Sequence, residues 1–538
     1  MADALTTTPL LGTEAPGKAG AIPSSTTDQP NMMEPVQALH MPITAHTPLE
    51  RPRVADKGRA IFQRVAARDD DDLATILQCG LDSILDGMRA HPDSVGVQLL
   101  AFKALLTLLS NDTDHTVQSE LLQLQGVETI CATMERHIGE DRLADIGCCT
   151  LYCLIEEQEG RLAFMGADGV ALLGRVMQTH PYSRAIQEHA CWIVDALART
   201  DKDNVPLLLQ EGCVTSLVQA LRTHASSTTL VDWALKATHT AMLASYLVKE
   251  EFRAVGGVQL LVAVLDAHNS HPDIMETCLA VMCLLSDYDM DNSTDFAHAK
   301  LQNSVTIVDL LSKLVGSNTT PVHVLVQTVQ LLYLLNTKVP SLRDASASRL
   351  VAPVIACMRV HHESVELLHG GCSYLHVIMS QSPDRKELVL EAGGLAVLLQ
   401  ALDDCLGDQG VVTAVLLGLL SLSVRPTHRK QLLDASVLKS IMRVMAVHEG
   451  TATIEQYGCW ILENMSLDAA GQHMIAQAGG LALFQRLVQN YQAETDSCSR
   501  DVYGKAVELL RKYQEGEGVQ EASSLEMCQQ SLAGCTIS

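Results

Sequence analysis

Apolar side chains recur along this chain with a helical stagger. Ten times an anchor residue is followed one, four and eight positions later by an uncharged, mostly aliphatic side chain, the anchors being Gly80, Gly126, Gly169, Cys213, Gly257, Thr306, Leu350, Gly394, Val437 and Gly480. In the third copy the followers are Val170, Leu173 and Met177, and in the ninth Leu438, Ile441 and Met445. Offsets of one, four and eight stack on one face of a helix with 3.6 residues per turn. None of the thirty positions is charged, and the anchors lie 43 to 49 residues apart. A repeat of that length predicts a helical solenoid, in which each unit buries its apolar face against the next.

Within each period the pattern predicts three helices: a short amphipathic one before the anchor, the anchored one, and a third after a turn. Gly393-Gly394 and Gly479-Gly480 sit where the first helix ends, as a left-handed C-terminal cap requires. The array spans residues 56–514. Residues 1–55, rich in Thr, Pro, Ser, Ala and Gly and without helical period, are expected to be a disordered tail, and 515–538 a flexible one. Histidine occupies the eleventh position after the anchor in seven copies, as His91, His137, His180, His224, His268, His361 and His448. That position ends the second helix, where an imidazole meets free carbonyls and the negative end of the helix dipole. The histidines are therefore expected as caps in a spaced row and not as metal ligands.

Residues such as Ala478-Gly479-Gly480-Leu481-Ala482-Leu483-Phe484, and Tyr457-Gly458-Cys459-Trp460-Ile461-Leu462-Glu463-Asn464, resemble the second and third helices of armadillo repeats, the family of beta-catenin and importin-alpha. The resemblance covers residues 80–490. It implies an all-α, right-handed superhelical solenoid of about ten three-helix repeats whose third helices line a concave groove. It also implies where partners bind. Importin-type members clamp extended basic peptides with Trp-x-x-x-Asn pairs, and Trp460 with Asn464 fits that spacing. Trp192 takes the same repeat position, but Ala196 stands in place of Asn; Lys103, Cys149, Lys236 and Ser373 replace Trp elsewhere. Trp192, Trp460, Asn464, Lys103 and Lys236 are the candidate groove residues.

Composition narrows the partners. Acidic residues outnumber basic ones 63 to 38, a net charge of −25, which disfavours nucleic acid and favours basic protein segments. Sixteen cysteines, many within apolar helical stretches, suit buried free thiols in a reducing cytoplasm better than disulfides. The apolar run 411–424 is too short to cross a bilayer. Asp287, Asp289, Asp291, Ser293 and Asp295 imitate the start of a calcium loop, but Asn292 replaces its glycine and His298 its closing Glu, so an acidic surface loop is expected. His361, His362, Glu363 and Glu366 lack the second histidine of a zinc-protease helix. No nucleophile elbow, phosphate loop or dinucleotide fingerprint occurs. No catalytic, metal or cofactor residues are assigned.

One modification signal stands apart. Cys535-Thr536-Ile537-Ser538 matches a prenylation box whose serine favours farnesyl, and Cys528 is a candidate second lipid site. Glu515, Glu517, Glu521 and Glu526 oppose attachment to an anionic leaflet. The expected function is a non-catalytic, cytoplasmic scaffold or adaptor for other proteins, with peripheral membrane attachment through the tail. The alternatives are a nuclear-transport-type cargo adaptor for basic peptides and a regulatory subunit of a GTPase or phosphatase.

Overall fold

The computed structural model describes residues 80–299, 305–494 and 496–514, with Leu73 and Leu77. These belong to one of two compact units, Arg59–Ser538; the other, Met1–Gly58, lies outside the described residues. So do both tails, including Cys528 and Cys535.

The described elements are all helical, and the apolar register places them. Helices Gly126–Arg136, Gly169–Thr179, Cys213–Thr223, Gly257–Ala267, Gly394–Asp404, Val437–Val447 and Gly480–Tyr491 each begin on an anchor. Leu81–Ala90 and Ile307–Gly316 begin one residue later, with Gly80 and Thr306 as N-caps. The side chain four residues after the anchor is buried in every copy, from Ile84 to Phe484.

The joint before each anchor divides its work between two residues. The first takes the left-handed conformation that closes the preceding helix, at φ +72° in Gly212, +79° in Gly256, +84° in Gly393 and +88° in Gly479. Its N–H returns to a carbonyl three residues back, as from Gly393 to Leu390. Gln125, Asp168 and Ser436 adopt the same conformation without being glycine. The anchor itself is constrained by space: a Cβ on Gly169 would lie 2.4 Å from the Phe164 ring, and one on Gly257 2.2 Å from Phe252. The first helix thus rests directly on the second.

The helices that follow are longer and build a continuous layer. Val95–Ser110, Asp141–Ile155, Arg184–Thr200, Thr228–Ala244, Pro272–Tyr288, Val322–Lys338, Val365–Met379, Gln409–Ser423 and Ala452–Met465 each pack on the next. Methionines eight residues after the anchor fill the gap beneath glycines of this layer: a Cβ on Gly147, Gly371 or Gly458 would come within 2.5 Å of the sulfur of Met134, Met358 or Met445.

A second linkage joins neighbouring repeats at their turns. The seven histidines are the C-caps of their helices, as expected. Five of the rings reach past their own helix to the repeat before. Nε2 of His137, His180, His224, His268 and His448 lies 2.7, 2.6, 3.0, 2.6 and 2.7 Å from the carbonyls of Pro92, Ile138, Pro181, Ala225 and Leu406. A carbonyl only accepts, so each Nε2 carries the proton and donates. Each accepting residue follows the cap of the preceding repeat. The histidines form a ladder with rungs one repeat apart.

Two segments depart from the expected pattern. Arg343–Val360 is one 18-residue helix running through the Leu350 anchor, because Arg349 takes no left-handed turn there, although Pro353 inside it offers no N–H. Met290–His298 is a helix capped by Asp289 and not the acidic loop expected, and Arg253 faces Asp289, Asp291 and Asp295 at 3.5, 3.2 and 3.6 Å.

Candidate protein-binding face

The layer of long helices carries the groove candidates, and the structure separates them. Trp192, a candidate groove anchor, is only 2 % exposed. Its ring is enclosed by Tyr152, His189 and Trp233, at centroid distances of 5.3, 4.8 and 5.5 Å. Lys103 is likewise buried, at 8 %. Trp192 is covered from both sides, by Tyr152 of the preceding long helix and Trp233 of the following one. Trp460 is half-buried with its edge against Tyr457, and Asn464 Nδ2 donates to Ser423 Oγ of the preceding long helix at 2.9 Å. Five long helices separate Trp192 from Trp460. Lys236 is brought beside Trp192's neighbour, its Nζ 2.7 Å from Asp232 Oδ2 and 5.2 Å from the Trp233 ring centroid.

Trp233 is therefore the partly exposed aromatic of this region, and sequence reasoning did not single it out. It falls three residues before the position inspected for tryptophan. One residue before it, in register across four repeats, stand Asp145, Glu188, Asp232 and Glu276. Three of them reach the following long helix: Asp145 Oδ1 lies 2.9 Å from His189 Nδ1, Glu188 accepts from Thr229 Oγ1 at 3.1 Å, and Glu276 lies 3.9 Å from His323 Nε2. Burial pushes the Glu276 carboxyl above its ordinary value, and His323 partly offsets this. The result is a row of acids one repeat apart beside a tryptophan, in which Asp145, Asp232 and Glu276 are partly exposed and Glu188 is as buried as Lys103. Reading this register for charge as well as for tryptophan would have found it.

One grouping has the look of a nucleophile, base and orienting acid. Cys149 Sγ is 3.1 Å from His189 Nε2, and His189 Nδ1 meets Asp145. The thiol is fully buried, and burial pushes it well above its ordinary value, the reverse of an activated thiolate. The other described cysteines are also free, and burial raises Cys131 and Cys213 to about 12. Among the described residues, no three His, Cys, Asp or Glu side chains converge as metal ligands. His362 of the zinc-like segment instead faces Asp404 at 3.2 Å. No described helix is long and apolar enough to cross a membrane.

No family model matches the chain, and no curated protein matches it in sequence. In fold it is similar to solved structures, among them the crystal structure of an engineered protein. That match has a TM-score of 0.64 at 16 % identity, covering 80 % of this chain and 98 % of the other. The likeness shows the fold, a repeating stack of helices, and leaves function to the surface.

Proposed function

We propose that this chain is a non-catalytic scaffold whose layer of long helices binds extended, basic segments of other proteins. We further read the array as ten three-helix armadillo-type units in a right-handed superhelix, with this layer lining the concave groove. The observation that carries the proposal is the set of partly exposed carboxylates Asp145, Asp232 and Glu276, in one register, beside the partly exposed Trp233. Carboxylates set at repeat intervals complement cations spaced along an extended segment, and a tryptophan face accepts a cation or an aliphatic stem. Asn464 is engaged with Ser423, which tells against a ladder of Trp-Asn clamps of the importin kind. The chain's net charge of −25 favours the same class of partner, and its free thiols suit a reducing, cytoplasmic setting. A lipid on Cys535 would add a tether to this role.

The test is fluorescence anisotropy with a labelled extended peptide alternating lysine and apolar residues. Wild type should bind with affinity that falls as salt rises. The combined variant Asp145→Asn, Asp232→Asn, Glu276→Gln should weaken binding roughly tenfold or more, and Trp233→Ala should also weaken it. Equal affinity in all three proteins would end the proposal.

A further inference from the structure

The histidine ladder is missing a rung, and the gap is a cavity. Between the repeats anchored at Gly257 and Thr306, the position that holds histidine in seven of the ten copies is Ser317. By the register of the other rungs the carbonyl awaiting it is that of Asn269, the residue after the cap His268. No described residue hydrogen-bonds to that carbonyl. A cavity of about 350 Å³ opens at this place, with Leu265, Leu310 and Leu314 among its apolar lining and Asn269, Ser317 and Thr320 among its polar lining.

The hydroxyls present do not replace the ring. Ser317 Oγ is paired with Thr319 Oγ1 at 2.9 Å and accepts the Thr319 N–H, while Thr320 Oγ1 donates to the Leu314 carbonyl at 2.8 Å. Both are committed to their own turn. What remains is a space lined in part by Leu265, Leu310 and Leu314, beside Asn269, whose carbonyl holds the place that the ladder supplies with an N–H donor everywhere from His137 to His268. Its volume is that of a small-molecule site.

We propose that this cavity binds a planar heterocycle carrying an N–H donor, an imidazole or a related ring, which takes the place of the absent histidine. The ring lies between Leu265 and Leu314, and its N–H donates to the Asn269 carbonyl. The site is independent of the acidic row, so failure of one reading leaves the other standing.

Ligand-observed saturation-transfer NMR on the full chain tests it, with imidazole and 1-methylimidazole as probes. The two rings have nearly the same shape, but the methylated one lacks the donor. Imidazole should bind with a dissociation constant on the order of millimolar. 1-Methylimidazole should bind at least fivefold more weakly. Ser317→His, which supplies the rung from the chain itself, should abolish the imidazole signal while melting at or above the wild-type temperature. If that variant melts lower, Ser317→Asn, which places a donor in the same gap, is used in its place and should weaken imidazole binding. Equal binding of the two probes, or imidazole binding unchanged in the folded variant, would overturn the proposal.

Discussion

The two positions of a joint differ in what a methyl group would do to a glycine there. At Gly169 the new carbon would strike Phe164, so Gly169→Ala should cost about 1–3 kcal/mol through overpacking. At Gly212 the obstacle is the backbone, and Gly212→Ala should cost about 1–2 kcal/mol because φ +72° strains an L-residue. Gly166, within its helix and with nothing near its Cβ, is the control: alanine there should be neutral or stabilising by up to about 1 kcal/mol. Urea midpoints of the three variants separate packing from strain. A different residue governs acid sensitivity. Burial pushes His376 down to about 4, beside the Leu417 carbonyl and Ser421 Oγ at 3.1 Å each. The unfolded imidazole takes its proton near its ordinary value of 6.5 and the folded one does not, so stability is full above that pH and falls as pH drops towards about 4. His376→Gln should flatten that part of the pH profile of the urea midpoint; parallel profiles would remove His376 as the cause.

Helices show how far the amino-acid sequence speaks and where it stops. The anchored helices were legible because one apolar face sets their period, and the left-handed joint was legible in Gly393 and Gly479. It was not legible in Gln125, Asp168 or Ser436, where the packing of two helices holds a residue type that rarely takes positive φ. The continuous helix Arg343–Val360 escaped for the opposite reason: the apolar register persists through it although the turn does not. Trp192 was legible as a repeat position, but whether its ring faces the groove or the core was left open by the sequence, since which flank of a long helix its neighbour covers is a tertiary fact. Histidine was read correctly as a cap, yet its acceptor lies 42 to 45 residues away, on a carbonyl that sequence spacing leaves unmarked. This gives the ladder a measurable worth. His224→Ala removes the bond to the Pro181 carbonyl and should cost about 1–2 kcal/mol. His91→Ala, at a cap whose ring makes no such bond to a described residue, should cost less.

Across the whole molecule the layer of long helices is continuous but the ladder is not. Among the described residues it runs without a break from the carbonyl of Pro92 to His268, fails at Ser317, at His361 and at Cys405, and resumes at His448. In an array where each repeat touches only its neighbours, stability is a sum of local and nearest-neighbour terms, and the array opens first at its weakest interface. The interface between the Gly257 and Thr306 repeats lacks a rung, holds a cavity and lies at the longest spacing of the series. Unfolding should therefore not be a single two-state step: residues 80–299 should outlast the repeats that follow. The tryptophans allow this to be read directly, since Trp192 and Trp233 lie before the interrupted rung and Trp460 lies after it. In a Trp460→Phe variant, fluorescence reports the first region alone while far-UV circular dichroism reports every helix. The fluorescence midpoint in urea should exceed the circular dichroism midpoint, and Ser317→His, by restoring the rung, should bring the two together. Coincident midpoints in Trp460→Phe would show that the packing of the long helices alone couples the array, and that the interrupted ladder does not divide it.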